Sequence, residues 1–283
     1  MKVLISADME GTAGVVAWEQ VIPPELAVRS RPAPAEYEWA RRLMVAEVNA
    51  AVRGARAGGA IEVIVNEAHD GMRILRPDEL DPDAWLISGS RKPLAMMAGL
   101  DGSVDAVIFT GYHARAGTPN GVLAHTWTSW VRDVRFGEVP VGEYGLNAAV
   151  AGYFGVPIVM VSGDEEAVRQ TRELLGESVV GVVVKHGLGT TAARHLHPSR
   201  ACAAIEAGAR EAVRRAREVS PYRPEYPVLV TVTLDTAEAA DLACNVPGIA
   251  RSGDTSVCFE AVHGLDLYQR WQVLIQAAAG ATR

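Results

Sequence analysis

Asp8 and Glu10 stand two residues apart, directly after a short apolar run, in Ser6-Ala7-Asp8-Met9-Glu10-Gly11. In an extended chain alternate side chains share a face, so both carboxylates point the same way. Taken alone, two acids after a strand read as a helix cap or a loop surface. Two further stretches repeat the arrangement. Val63-Ile64-Val65-Asn66-Glu67-Ala68-His69-Asp70 ends in an imidazole beside acids, and Val107-Ile108-Phe109-Thr110-Gly111-Tyr112-His113 ends in another. One loop histidine is unremarkable in a chain with seven. Two of them beside paired carboxylates, each just past an apolar strand, point to a metal site. Mixed oxygen and nitrogen donors suit Zn²⁺, with Mn²⁺ or Co²⁺ able to compete. A catalytic zinc takes three protein ligands. A larger set suggests two metals that share a bridging carboxylate and a water. His125 is read either as a further ligand or as a proton-transfer group. Glu143 falls in the first turn of an expected helix, where residue type alone makes it an acid placed to favour the helix dipole.

These residues need a scaffold that brings strand ends together. The sequence offers one: apolar strands are expected at 2–7, 61–66, 84–88, 104–110, 157–162 and 179–185. Between them lie helical stretches at 35–57, 93–100, 142–154 and 165–175. Strand-helix alternation of this kind indicates a parallel α/β sheet, and open α/β sheets carry their sites outside the carboxyl ends of the strands. Residues 122–134, rich in Thr, Trp and Val, read as a hairpin or an excursion from that sheet. After a long amphipathic helix at 199–219 and a Pro-containing linker, 228–279 reads as a β-α-β-α unit. The expected organisation is a catalytic α/β domain over 1–178, mainly a parallel sheet flanked by helices, and a smaller C-terminal α+β lobe over 179–283.

Composition narrows the class. The 283 residues are 49% hydrophobic and 22% charged, with a formal net charge of -7. That length can bury a large core. The acidic balance argues against nucleic acid or an anionic membrane as partner, since both need basic patches. Three widely spaced cysteines, with no CxxC pair, support neither a disulfide framework nor a thiolate zinc site. No apolar stretch is long enough to cross a bilayer, and MKVLISADMEG reads as a strand and not a signal peptide. A cytoplasmic protein is expected. His195 and His197, in a His-Leu-His-Pro stretch, lack a nearby carboxylate and read as a loop that enters a helix. Trp127 and Trp130 read as core or subunit-contact residues, with a place in a substrate channel as the other option.

The four stretches SADMEG, NEAHDGM, GYHARAGTP followed by AH, and PVGEYGLNA occur in one order and closely resemble the motifs of the DppA-type D-aminopeptidases, a family of zinc metallopeptidases. The similarity is densest from residue 1 to 163 and thins beyond 179. The resemblance implies two zinc ions per chain, held by Asp8, Glu10, His69, His113 and Glu143, with Asp8 bridging both. It thus implies a ligand role for Glu143, against the reading from residue type. His125 is implied to assist catalysis. The implied activity is removal of N-terminal D-residues, such as D-Ala, from short peptides or amides through a metal-bridging hydroxide. The implied assembly is a ring-shaped homo-oligomer, a decamer, with sites facing an internal channel. Two rivals stand beside it: an amidase acting on peptidoglycan-derived D-residue peptides, and a metal-stabilised peptide-binding protein without turnover. A pure binder has no need of a proton-transfer group such as His125.

Overall fold

In the computed structural model, which describes residues 1–24 and 33–282, the apolar run Lys2–Ala7 forms β1. It lies between two parallel neighbours, β2 (Glu62–Glu67) and β4 (Ala106–Tyr112). A strand covered on both faces needs a continuous apolar run, and Val3 to Ala7 are buried throughout. The sheet extends on one side to β3 (Ala84–Ile87). On the other it continues through β7 (Ile158–Asp164) and β8 (Val180–Gly189) to the antiparallel edge strand β9 (Ala192–His195). Helices α1 (Pro34–Gly58) and α4 (Pro198–Arg214) pack on each other across this sheet. Pro34 opens α1, and Gly59, at φ 108°, closes it in the left-handed conformation, the usual division of labour between these residues. Helices α2 (Glu143–Tyr153) and α3 (Glu165–Leu175) flank β7 in sequence.

The second sheet is antiparallel, in the order β11-β12-β10-β5-β6. Its strands are β5 (Val131–Phe136), β6 (Val139–Pro140), β10 (Val228–Leu234), β11 (Ala250–Arg251) and β12 (Ser256–Ala261). Burial alternates along β10, as in a sheet with one covered face. Helix α5 (Ala237–Cys244) and helix α6 (Gly264–Ala278) lie against it. Leu267, Tyr268, Trp271 and Leu274 bury the inner face of α6 completely. Such side chains each stabilise the fold by roughly 1.5–3 kcal/mol. One contiguous apolar core joins both sheets.

The two sheets interleave along the chain. β8 lies beyond Val179 and pairs in parallel with β7, while β5 and β6 lie well before it and belong to the second sheet. A cut at Val179 would therefore divide each sheet. Other expectations shift locally. Residues 93–100 give only a single 3₁₀ turn, Ala95–Met97. In 122–134 the strand begins at Val131; before it lies only an isolated Thr126–Thr128 bridge. Leu123 and Trp127 there take φ of 51° and 66°, left-handed values that break a ladder. Strands β9 and β11 have no counterpart in the sequence reading. Among the described residues no helix is long and apolar enough to cross a membrane.

Candidate metal centre

The parallel register places Ala7 opposite Glu67 on one side and Thr110 on the other. Whatever follows each strand must converge at one edge of the sheet. The turn after β1 is pressed directly onto the end of β4. The Asp8 N–H donates to the Thr110 carbonyl at 2.9 Å, and the Gly11 N–H to the Gly111 carbonyl at 2.7 Å. A Cβ on Gly11 would lie 2.0 Å from the Tyr112 carbonyl oxygen; one on Gly111, at φ +67°, would lie 2.2 Å from the Asp8 carbonyl oxygen. Two glycines facing each other thus let the backbone under Asp8 and Glu10 touch the backbone that carries His113. Glu143 is the first residue of α2. Asn147, one turn on, donates to the Tyr112 hydroxyl at 2.8 Å and accepts from Tyr268 at 3.0 Å, which ties α2 to β4 and α6.

Asp8, Glu10, His69, His113 and Glu143 are all buried, at 3–6% exposure. Their donor atoms fall into two trios: Asp8 with Glu10 and His69, and Glu143 with His113 and His125. Asp8 reaches into both. Its Oδ1 lies 3.3 Å from His69 Nδ1, and its Oδ2 lies 3.5 Å from His113 Nε2. His69 Nδ1 is also 3.0 Å from Glu10 Oε2, and His113 Nε2 is 3.2 Å from Glu143 Oε1. His125, in the second trio, also faces the first, with Nε2 3.7 Å from Glu143 Oε1 and 4.0 Å from Glu10 Oε1. Its ring stacks on His113 at 3.9 Å, and Trp18 meets it edge-on at 5.3 Å.

Each imidazole has one nitrogen held by a backbone carbonyl: His69 Nε2 by Val21 at 2.9 Å, His113 Nδ1 by Ala114 at 3.0 Å, and His125 Nδ1 by Leu123 at 2.8 Å. A carbonyl can only accept, so that nitrogen carries a proton and the other nitrogen is the one that faces the acids. Asp8 Oδ2 and Glu10 Oε2 are buried with no hydrogen-bond partner among the described residues. Buried carboxylate oxygens are not left bare without reason. The donor set therefore fits divalent cations of zinc type.

The electrostatics agree. Burial, with Glu10 beside it, pushes Asp8 up to about 7. Burial also acts to raise Glu10, but the charge of His69 outweighs it and holds Glu10 well below the usual range. His113 is pushed up to about 10: burial opposes this, and Glu143 overcomes it. Protons are what keep this many acids together, and metal ligation releases such protons. His125 differs. Burial and then the neighbouring His113 lower it.

The centre opens into a cavity of about 740 Å³, walled by Trp18, Trp127, Trp130, Met72 and, from the end of α6, Ile275. The tryptophans read from sequence as core or subunit contacts thus line the cavity. All six site residues named from sequence come together. The remaining histidines do not join them: His197 and His263 cap α4 and α6, His186 pairs with Glu165, and His195 accepts the Gly14 N–H. Glu67, inside the second motif, turns away and accepts the Ile74 N–H. The contributions of Trp18 and α6 were not foreseen, because nothing local to either segment signals a cavity.

Acids and imidazoles gathered at the carboxyl ends of parallel strands define a metal-dependent hydrolase of the α/β class. Comparison with known proteins is more specific. The Peptidase_M55 D-aminopeptidase family model matches residues 1–273, and the chain belongs to that family. The D-aminopeptidase of Bacillus subtilis (strain 168) is 36% identical over 279 residues, 98% of each chain. The solved structure of the Zn-dependent D-aminopeptidase DppA from Bacillus subtilis, described as a self-compartmentalizing protease, superposes with a TM-score of 0.90. It is 35% identical and the match covers 99% of this chain and 98% of that one.

Proposed function

We propose that the centre holds two zinc ions, one among Asp8, Glu10 and His69 and one among Asp8, His113 and Glu143. The chain would use them to remove N-terminal D-residues, such as D-Ala, from short peptides or amides. The observation that carries this reading is Asp8, whose two oxygens face two different histidines. Charge supports it as well. With Asp8, Glu10 and Glu143 ionised, a single divalent cation would leave net negative charge buried, which is costly; two cations together with one hydroxide would balance it. Zinc held there supplies a Lewis acid that polarises the scissile carbonyl and acidifies a water.

The protein groups do the rest. Leu123 fixes the His125 ring so that Nε2 faces the reacting centre. Burial and His113 lower its pKa, so a protonated His125 is a stronger acid than a free imidazolium and could pass its proton to the leaving amine. The free amine at the start of a peptide would be held by a metal or by a carboxylate of the site. The apolar cavity walls exclude water from the peptide bond under attack. Family likeness further supports assembly into a closed homo-oligomer, a decamer, with the sites inside. The exposed Trp85 on edge strand β3 and Leu188 near the end of β8 suit subunit contacts.

The test is elemental analysis of the purified chain coupled to a screen of D- and L-aminoacyl amides. Two zinc ions and D-selective cleavage are expected, and Asp8→Ala is expected to lose both metals. A fully active preparation with one metal or none would refute the two-metal reading.

A further inference from the structure

The segment that carries Glu10 has little ladder of its own. After β1 the chain turns through residues 10–17, where the Gly11 N–H bonds to the end of β4 but the chain joins no ladder among the described residues, so most of its backbone groups need partners from elsewhere. One side chain takes three of its carbonyls. Lys185, on β8 and fully buried, directs its ammonium to the carbonyls of Glu10, Thr12 and Val15, all within 3.0 Å. An ammonium has three N–H bonds, so each one is used and the loop closes around the charge. Two further side chains hold the N–H groups between: Glu47 of α1 accepts from Ala13 at 2.9 Å, and His195 of β9 accepts from Gly14 at 3.0 Å. Lys185 lies opposite Asp164 in the parallel register and opposite His195 in the antiparallel one.

We propose that Lys185 is a positioning residue for one of the two metals: by binding the Glu10 carbonyl it sets where the Glu10 carboxylate stands. This inference rests on the two-zinc reading above. It is asymmetric. Glu10 belongs to the trio with His69, whereas His113 follows β4 and Glu143 opens α2, and the three Lys185 hydrogen bonds all go to the loop that carries Glu10. Lys185→Met keeps an unbranched chain one atom shorter and removes the three donors. Its effect falls on the Glu10 metal and spares the Glu143 metal. Partners that orient a ligand are worth about 10–100-fold in metal affinity, and that is the expected loss at the first site.

Zinc dissociation constants of the full-length chain, measured by competition with a chromophoric chelator, read this without any assay of turnover. Glu10→Gln and Glu143→Gln identify which class of bound zinc belongs to which trio. Lys185→Met is expected to weaken the class that Glu10→Gln removes and to leave the other unchanged. Equal weakening of both classes, weakening of the Glu143 class alone, or no change overturns the inference. If Lys185→Met does not accumulate as folded protein, His195→Ala decides in its place, since His195 is only half-buried and tethers the same loop. A smaller loss confined to the Glu10 class supports the inference, and unchanged affinity overturns it. A wild-type chain with a single zinc class refutes the two-metal reading and this inference with it. Two wild-type classes with the Glu10 class untouched in the variants refute the inference alone.

Discussion

Gly11→Ala tests whether the contact between two backbones sets the geometry of the centre. A methyl group at position 11 would stand 2.0 Å from the Tyr112 carbonyl oxygen, 2.6 Å from the Gly111 carbonyl carbon and 2.7 Å from its oxygen. Ordinary contact begins near 3.4 Å, so about 1.4 Å of separation is needed, and both neighbours are backbone in the middle of a seven-stranded sheet. The movable partner is the turn that carries Asp8 and Glu10. Its shift lengthens the Asp8 Oδ2 to His113 Nε2 approach from 3.5 Å and takes Asp8 away from the second trio. Overpacking of this kind costs about 1–3 kcal/mol, which lowers Tm by about 2–12 °C in a chain of this size. A displacement near 1 Å in a reacting centre costs on the order of 10²-fold in rate. The assays are thermal unfolding, zinc content and kcat/KM on a D-alanyl amide. A folded variant with a modest fall in Tm, substoichiometric zinc and a rate reduced at least about 10²-fold is expected. Wild-type zinc content and kcat/KM in Gly11→Ala would show that the glycine contact does not position the acids.

His125→Ala should retain both zinc ions and lose turnover by about 10²–10⁴-fold, the size of a proton-transfer contribution; loss of a metal in that variant would make His125 a ligand. Glu47 predicts a pH dependence. Burial pushes its carboxyl up to about 7 from 4.5, against the Ala13 hydrogen bond and the charge of Lys185. A raised folded-state pKa gives stability that is fully present below about 4.5 and is lost as pH rises through about 7. Between pH 5 and 8.5 this amounts to about 2 kcal/mol. Glu47→Gln should lack that fall, and denaturant midpoints of the chelated proteins at both pH values measure it. Parallel pH profiles for the two proteins would contradict the assignment.

The centre was legible to different depths. Asp8, Glu10, His69 and His113 could be found from residue type and place, because apolar strands announce their ends and the sheet gathers those ends. Glu143 could not: an acid in a first helical turn is commonplace, and only the ordered motifs distinguished it. Lys185 was hidden for another reason. Its three carbonyl partners lie 170 to 175 residues away in sequence, and no periodicity encodes a contact to a backbone carbonyl. The parallel core was legible in its continuous apolar strands. The hairpin or excursion read at 122–134 is present, since β5 leaves the parallel sheet and pairs with β6. The strand starts only at Val131, because the φ values at Leu123 and Trp127 bend the chain before it and deliver His125 to the acids. Strands of four and two residues, β9 and β11, are too short to leave a pattern.

The interleaving of the two sheets has a consequence for synthesis. β5 pairs with β10, yet roughly 90 residues of chain separate them. At about 5–20 residues per second, a ribosome needs on the order of 5–20 seconds to supply the partner. Through that interval Val131, Val134 and Phe136, buried in the finished protein, have no strand to shelter them. Val228–Leu234 then pairs with β5, and becomes the central strand once β12 follows on its other side. The nascent chain thus carries an apolar hairpin, a natural target for a holding chaperone, at the stage when residues 1–143 have already delivered every acid and imidazole of the centre.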